Sequence, residues 1–348
     1  MRKELLMGLM AILLCAATAY AQTPRPGAAA CDRGCLNGIL EQYLNALVAQ
    51  DPSKAPMARN VYYTANGQHL LPGDGYWRSV TGRGTYELVM ADVPKGEVAA
   101  FTTMREAGTP LIMAVRLKVE NRRITEIEEL LAHSPDGAKA LDAIGKPREA
   151  FMRETPPARR MSRADLIKTA NMYFSGMQQN DGEGVYPFAD DCDRLENGAQ
   201  TTNNPTGGRP GAPPPPPNAP PPVRPDPKTA TNYSSMWTCR EQFESGLLHF
   251  VSRIRDRRYV LVDQERGVVL AFAFFDHEAG KTRTFQTPSG RTVTAGPVTP
   301  WTWELAEAFK VEDGKLHQIE AVLERAPYGM GSGWSTWAQA MSTEARGN

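Results

Sequence analysis

Two carboxylates near the C-terminal end of the chain, Glu307 and Glu320, have a spacing that acid–base chemistry could use. Asp313-Gly314 is a strong two-residue hairpin turn, and a hairpin closed there sets Val311 opposite Leu316 and Glu307 opposite Glu320. Carboxylates facing each other across a strand pair lie ~5 Å apart and do not both ionise readily in an apolar setting. One of them would then keep its proton near neutral pH, as a general acid or base requires. Trp301, Trp303, Leu305 and Phe309 fall on the same face of the alternating strand as Glu307, which supplies that setting. The competing reading is a solvated face near a sheet edge that carries two ordinary charges.

His249, in SGLLHFVSRIR, and His277, closing FAFFDH, are further candidates, each able to pair with Asp276, Glu196 or Glu307. Lone histidines are more often surface or satisfied core residues. Polar groups suited to lining a pocket cluster around two Asn-Gly segments: Tyr63 and Asn66 in one, and Arg194, Glu196, Asn197 and Gln200 in the other. Asn-Gly is equally a turn signal. Asp74 and Trp77, in LPGDGYWRS, complete the candidate ligand contacts, with Trp301 and Trp303. The chain has no GxSxG elbow, Walker loop or HExxH, and five scattered histidines give no metal-ligand spacing, so no metal and no cofactor is expected.

The elements that would position these residues are written twice. KVENRRITEIEELL at 118–131 reappears as KVEDGKLHQIEAVL at 310–323. Upstream, Asp92, Gly96 and Phe101 match Asp263, Gly267 and Phe272, and the helical run with Tyr43 and Asp51 matches the one with Tyr173 and Asp181. The offset between copies grows from 130 residues at Asp51/Asp181 to 171 at Asp92/Asp263 and 192 at Lys118/Lys310, so the second copy contains two insertions. One is the insertion at 205–228, whose run Pro210 to Pro225 is too proline-rich to make a packed core and is expected as an extended or disordered loop; the other is a hairpin insertion at 277–300. Across this duplication Glu320 matches Glu128 but Glu307 matches Val115, which points to the second copy as the one that differs chemically.

Each copy opens with an amphipathic helix, as in ILEQYLNALVA, and closes with strands, at about 86–92, 97–105, 111–119 and 123–131 in the first. The order is α+β. The opening helix, the NG(x)Q segments and the closing hairpin VENRRITEIE or VEDGKLHQIE together resemble the NTF2-like or SnoaL-like superfamily, in a secreted, duplicated form. The resemblance implies two cone-shaped domains, helices packed on a curved antiparallel sheet, paired as a pseudo-dimer within one chain. It also implies an apolar pocket, used in that superfamily either for cofactor-independent acid–base catalysis or for binding without reaction. A binding-only protein would have its first pocket plugged, with Met90, Phe101, Met104 and Met113 as the candidate plug.

Met1-Arg2-Lys3, the apolar run Leu5 to Ala17 and Ala19-Tyr20-Ala21 read as a signal peptide at 1–21; Leu13-Leu14 before Cys15 argues against a lipoprotein anchor. Export to an oxidising compartment, secreted or periplasmic, follows, and no membrane span is expected. Of the three pairings open to the remaining cysteines, Cys31 with Cys35 and Cys192 with Cys239 are favoured; two free thiols are the alternative for the first pair. With 39 basic and 39 acidic residues, the chain lacks the charge footprint of a nucleic-acid binder. The expected organisation is a first domain at 31–135, a linker at 136–160, a second domain at 161–327 and a tail at 328–348. The expected partner is a small molecule, and the expected state is a monomeric pseudo-dimer or a homodimer.

Overall fold

The structure, a computed structural model, describes residues 31–208, 211–213, 216 and 218–347; the expected signal peptide at 1–21 lies outside these residues. Helix α1 (Arg33–Val48) starts where the Asp32 carboxylate accepts the Cys35 backbone N–H at 2.8 Å. It buries Leu36, Ile39, Leu40, Tyr43, Leu44 and Leu47, one stripe at helical spacing. The Cys31–Cys35 disulfide spans its first turn.

Six strands follow: β1 (Met57–Ala65), β2 (Gln68–Leu70), β3 (Val80–Asp92), β4 (Glu97–Glu106), β5 (Thr109–Glu120) and β6 (Arg123–Ala132). They form one sheet in the order β2-β1-β6-β5-β4-β3. After α2 (Pro135–Ile144), α3 (Glu149–Met152) and α4 (Arg163–Met177) the pattern is built again, from β7 (Phe188–Glu196), β8 (Ala199–Gln200), α5 (Cys239–Glu244), β9 (Arg253–Asp263) and β10 (Val268–His277). The small hairpin β11 (Thr284–Gln286) and β12 (Thr292–Thr294) interrupts it before β13 (Trp301–Glu312) and β14 (Lys315–Ala326). The second sheet runs β8-β7-β14-β13-β10-β9, the order of the first. It is extended past β9 by β15 (Ala345–Gly347), which follows the short α6 (Trp337–Met341).

Both sheets are mixed rather than purely antiparallel. β1 runs parallel to β6, and β7 parallel to β14, because the strand after each opening helix returns to pair with the last strand of its half. Each sheet packs one face on its own helix. Tyr43, Tyr63, Trp77, Met104 and Met113 belong to the first of these cores, and Tyr173, Phe174, Phe243, Phe275 and Phe309 to the second.

The other faces share a third core, in which Met90, Phe101 and Ile112 from the first sheet meet Leu270, Phe272 and Ala306 from the second. Burial on both faces explains why β4 and β10 read as near-continuous apolar runs. It also corrects the expected plug: Met104 and Met113 do face the first core, but Met90 and Phe101 lie on the opposite face.

The segment 136–160 contributes Ala138, Leu141 and Phe151 to the shared core. Residues 205–228 form no helix or strand among those described, and the Cys192–Cys239 disulfide closes the stretch that contains them. The tail touches both sheets. Trp334 donates its indole N–H to Thr64 Oγ1 at 2.8 Å beneath the Arg116 guanidinium, and Ser332 donates to Asp256 at 2.8 Å. No helix among the described residues is long and apolar enough to cross a membrane.

Candidate functional site

The β13–β14 hairpin closes as its turn dictates, with Val311 opposite Leu316, but one residue further on the register slips. His317 is an extra residue in β14, so Lys310 pairs with Gln318, Ala308 with Glu320, and Glu307 with Ala321. Such a bulge sends the side chains beyond it to the other face. The expected cross-strand pair of Glu307 and Glu320 is therefore not formed. β6 carries the same bulge at Thr125, between the Lys118–Glu126 and Val119–Ile124 pairs.

Glu320 instead points into the face shared by the two sheets, where the Tyr86 hydroxyl reaches its oxygens at 2.7 and 2.9 Å. Burial pushes its carboxyl up to about 7, against the opposing effect of the Tyr86 hydrogen bond. Its match Glu128 holds the buried Arg258 from the other half in a bidentate pair. Both residues join the halves and neither reaches the second core.

Glu307 does reach it. The side chain is fully enclosed, hydrogen-bonded with the α4 residue Tyr173, and close to Arg194 and Glu196 of β7. Burial raises its carboxyl to about 8; the Arg194 charge pulls the other way, and Glu196 adds to the rise. Arg194 is committed to neighbours, donating through Nη1 to Gln242 at 2.7 Å and through Nη2 to Glu196.

Glu307, Tyr173, Arg194, Glu196, His277 and Trp303 line a cavity of about 80 Å³. Four of its lining residues, Glu196, Tyr233, Trp303 and Leu323, also line an outer cleft of about 760 Å³. A separate cleft of about 570 Å³, beside Asp226, Lys228 and Pro288, shares no lining residue with either.

The remaining expected site residues separate into three groups. His277 lines the inner cavity with its ring stacked on Trp301 at 4.3 Å; burial lowers its pKa to about 4, which keeps it neutral, and Nδ1 has no hydrogen-bond partner among the described residues. His249 is elsewhere, stacked on Phe285 of the inserted hairpin at 4.7 Å, with Nδ1 3.1 Å from the Asn180 carbonyl. Trp303 bridges cavity and cleft, whereas Trp301 lies behind it against His277.

Asn66 and Asn197 are clamps. Asn197 donates to the Leu323 carbonyl at 2.8 Å and accepts the Leu323 N–H at 2.9 Å, and Asn66 does the same to Leu131 at 3.0 and 2.7 Å. Gln200 lines the outer cleft, its amide donating to the Thr202 carbonyl at 3.0 Å. Asp74 is exposed beside Arg78, and Trp77 is buried with its ring edge-on to Tyr43 at 5.5 Å.

Tyr63 belongs to a buried group that the sequence reading missed. In the first core, Glu129 accepts hydrogen bonds from Tyr43 at 2.7 Å and from Tyr63 at 2.8 Å, and burial raises it to about 7 against those two bonds. Glu129 pairs across the strands with Val115, as Ala321 pairs with Glu307. The two halves thus place a carboxyl in the same cross-strand pair, on opposite strands, beneath the matching helix tyrosines Tyr43 and Tyr173. The contrast of Val115 with Glu307 does not make the first half apolar.

What differs is the neighbour. Tyr63 pairs with Ile127 where Arg194 pairs with Ile319, and Ala65 pairs with Glu129 where Glu196 pairs with Ala321. A tyrosine cap in the first half is thus replaced by an Arg–Glu pair in the second. The sequence signal was the Glu-Glu doublet at 128–129, in which only the first residue has a carboxylate match.

Residues 159–323 match the family model described as a domain of unknown function, DUF8021. No curated protein matches the chain. Among solved structures, the chain is similar to a protein described as a candidate ketosteroid isomerase from Kribbella flavida DSM 17836, at 14% identity over 29% of this chain and 80% of that one, with a TM-score of 0.24. It is also similar to AclR, described as a candidate hydroxylase from Streptomyces galilaeus, at 11% identity over 30% and 83%, with a TM-score of 0.25. An NTF2-like protein of unknown function from Cytophaga hutchinsonii ATCC 33406 matches at 11% identity over 29% and 90%, with a TM-score of 0.23.

Proposed function

We propose that the chain is an exported, tandemly duplicated NTF2-like protein whose halves pair as an intrachain pseudo-dimer, and whose second half binds a small molecule over Glu307. The observation that carries this reading is a fully buried carboxyl that keeps its proton at neutral pH and borders a cavity sharing its wall with an open cleft. A protonated acid beside a tyrosine hydroxyl, with a neutral imidazole in the same cavity, can donate and accept a proton without metal or cofactor. The reaction classes that need no more are dehydration, isomerisation and elimination. Glu307 is the acid–base group, and Tyr173 and His277 are its neighbours in the cavity. Two disulfides support export to an oxidising compartment.

One observation favours a binding-only scaffold: Glu129 shows that this fold tolerates a buried carboxyl capped by tyrosines, with no chemistry implied. The separating experiment compares wild type with Glu307→Gln for turnover of compounds that stabilise the protein in a thermal-shift screen. Loss of turnover with ligand binding retained supports catalysis. Undiminished turnover removes Glu307 from the reaction, and stabilising compounds that are never turned over favour the scaffold.

A further inference from the structure

We propose that the outer cleft of the second half is a saccharide-type site, which takes a neutral, polyhydroxylated ligand with a ring packed at Trp303 and hydroxyls paired to Thr231, Asn232 and Ser235. This rests on reading the Glu307 cavity as a ligand site, and it names the ligand class. At about 760 Å³ the cleft is within the size range of pockets that hold whole small molecules. The inner cavity, at about 80 Å³, has room for the equivalent of two or three waters of about 30 Å³ each. The body of any ligand therefore sits in the cleft and only a small substituent reaches toward Glu307.

The chemistry of the walls selects the body. No lysine or arginine lines the cleft among the described residues, and its one carboxylate, Glu196, is held by Arg194. The inner cavity adds no net charge, since Arg194 and Glu196 cancel, burial raises the enclosed Glu307 carboxyl to about 8 so that it keeps its proton, and His277 is neutral. Among the described lining residues an anion or a cation would thus find no unpaired counter-charge. The wall is otherwise rich in hydroxyl and amide groups that both donate and accept, the pairing a sugar hydroxyl needs. The side chains of Thr231, Asn232 and Ser235 make no hydrogen bond among the described residues and line the cleft. Trp303 and Tyr233 supply aromatic surface at the junction, suited to the C–H face of a pyranose ring.

The test titrates the full mature protein with maltotriose, cellotriose and N-acetylchitotriose, together with their uronic-acid and amino-sugar counterparts, by tryptophan fluorescence and calorimetry. At least one neutral trisaccharide is expected to bind, more tightly than its charged counterparts. The double variant Asn232→Ala/Ser235→Ala should weaken it about tenfold, and Trp303→Leu, checked for an unchanged melting profile, should abolish the fluorescence response. Binding by none of the three neutral sugars, tighter binding of a charged counterpart, or unchanged affinity in the Asn232/Ser235 variant overturns the proposal. Glu307→Gln, run alongside, separates the two readings. Retained sugar affinity with unchanged turnover defeats the acid–base role and leaves the ligand class standing, whereas failure of the sugars leaves the Glu307 cavity to be tested with other ligands.

Discussion

Glu307 and Glu129 are each the only carboxyl of a cross-strand pair buried under a helix tyrosine, and both should make stability depend on pH in one direction. Each is raised in the fold, to about 8 and about 7, above an ordinary value of 4.5. The folded state then holds a proton that the unfolded chain releases, so the stabilisation is complete below pH 4.5 and is lost as pH rises through the folded values. The expected outcome is a melting temperature that falls between about pH 5 and pH 8, with a shallower fall in Glu307→Gln and in Glu129→Gln. Calorimetry across that range checks it, and an equal slope in wild type and both variants contradicts it. Arg258→Ala should cost about 1 to 3 kcal/mol, because it removes both hydrogen bonds of the buried Arg258–Glu128 pair and leaves Glu128 only the longer ion pair to Arg116 at 3.4 Å. Urea denaturation reads that loss.

The strands were legible at the scale of the element because hairpin turns bracket them: the four expected at 86–131 agree with β3 to β6 in order, and β4 to β6 nearly in extent, whereas β3 starts at Val80, six residues before the expected 86. The bulges were not legible. A single inserted residue leaves turn and hydrophobic content unchanged while reversing every side chain beyond it, and with both faces of the sheet buried no polar alternation betrays the shift. Deleting His317 should therefore drive Glu320 toward the Glu307 face and Ala321 away from it. The expected result is a loss of several kcal/mol of stability or failure to fold, whereas His317→Ala, which keeps the residue count, should fold. Asn197→Ala removes two bonds to the Leu323 backbone and should cost about 1 to 3 kcal/mol, with Asn66→Ala matching it in the first half. A negligible change in either would mean that water replaces the clamp.

Over the whole molecule, the Cys192–Cys239 bridge closes a span of 47 residues around the proline-rich insertion. In the chain-entropy model such a closure contributes about 4 kcal/mol, so Cys192→Ser/Cys239→Ser should lower the urea midpoint markedly, and reductant should do the same to the wild type. Local patterns in the sequence carried a good deal here: a similar order of elements in two segments, a preference for the two disulfide pairings that the structure forms, and the strand face that Trp303 shares with Glu307. All of these follow from spacing, offset and periodicity along the chain. Tertiary structure alone decided that Glu307 and Glu320 serve different cores, that Glu129 occupies in the first half the place Glu307 takes in the second, and that Arg194 with Glu196 replaces the Tyr63 cap. Each of those depends on which residue lies across a strand pair or on the far side of a sheet, and register and sheet-to-sheet contact are set by packing among segments remote in sequence.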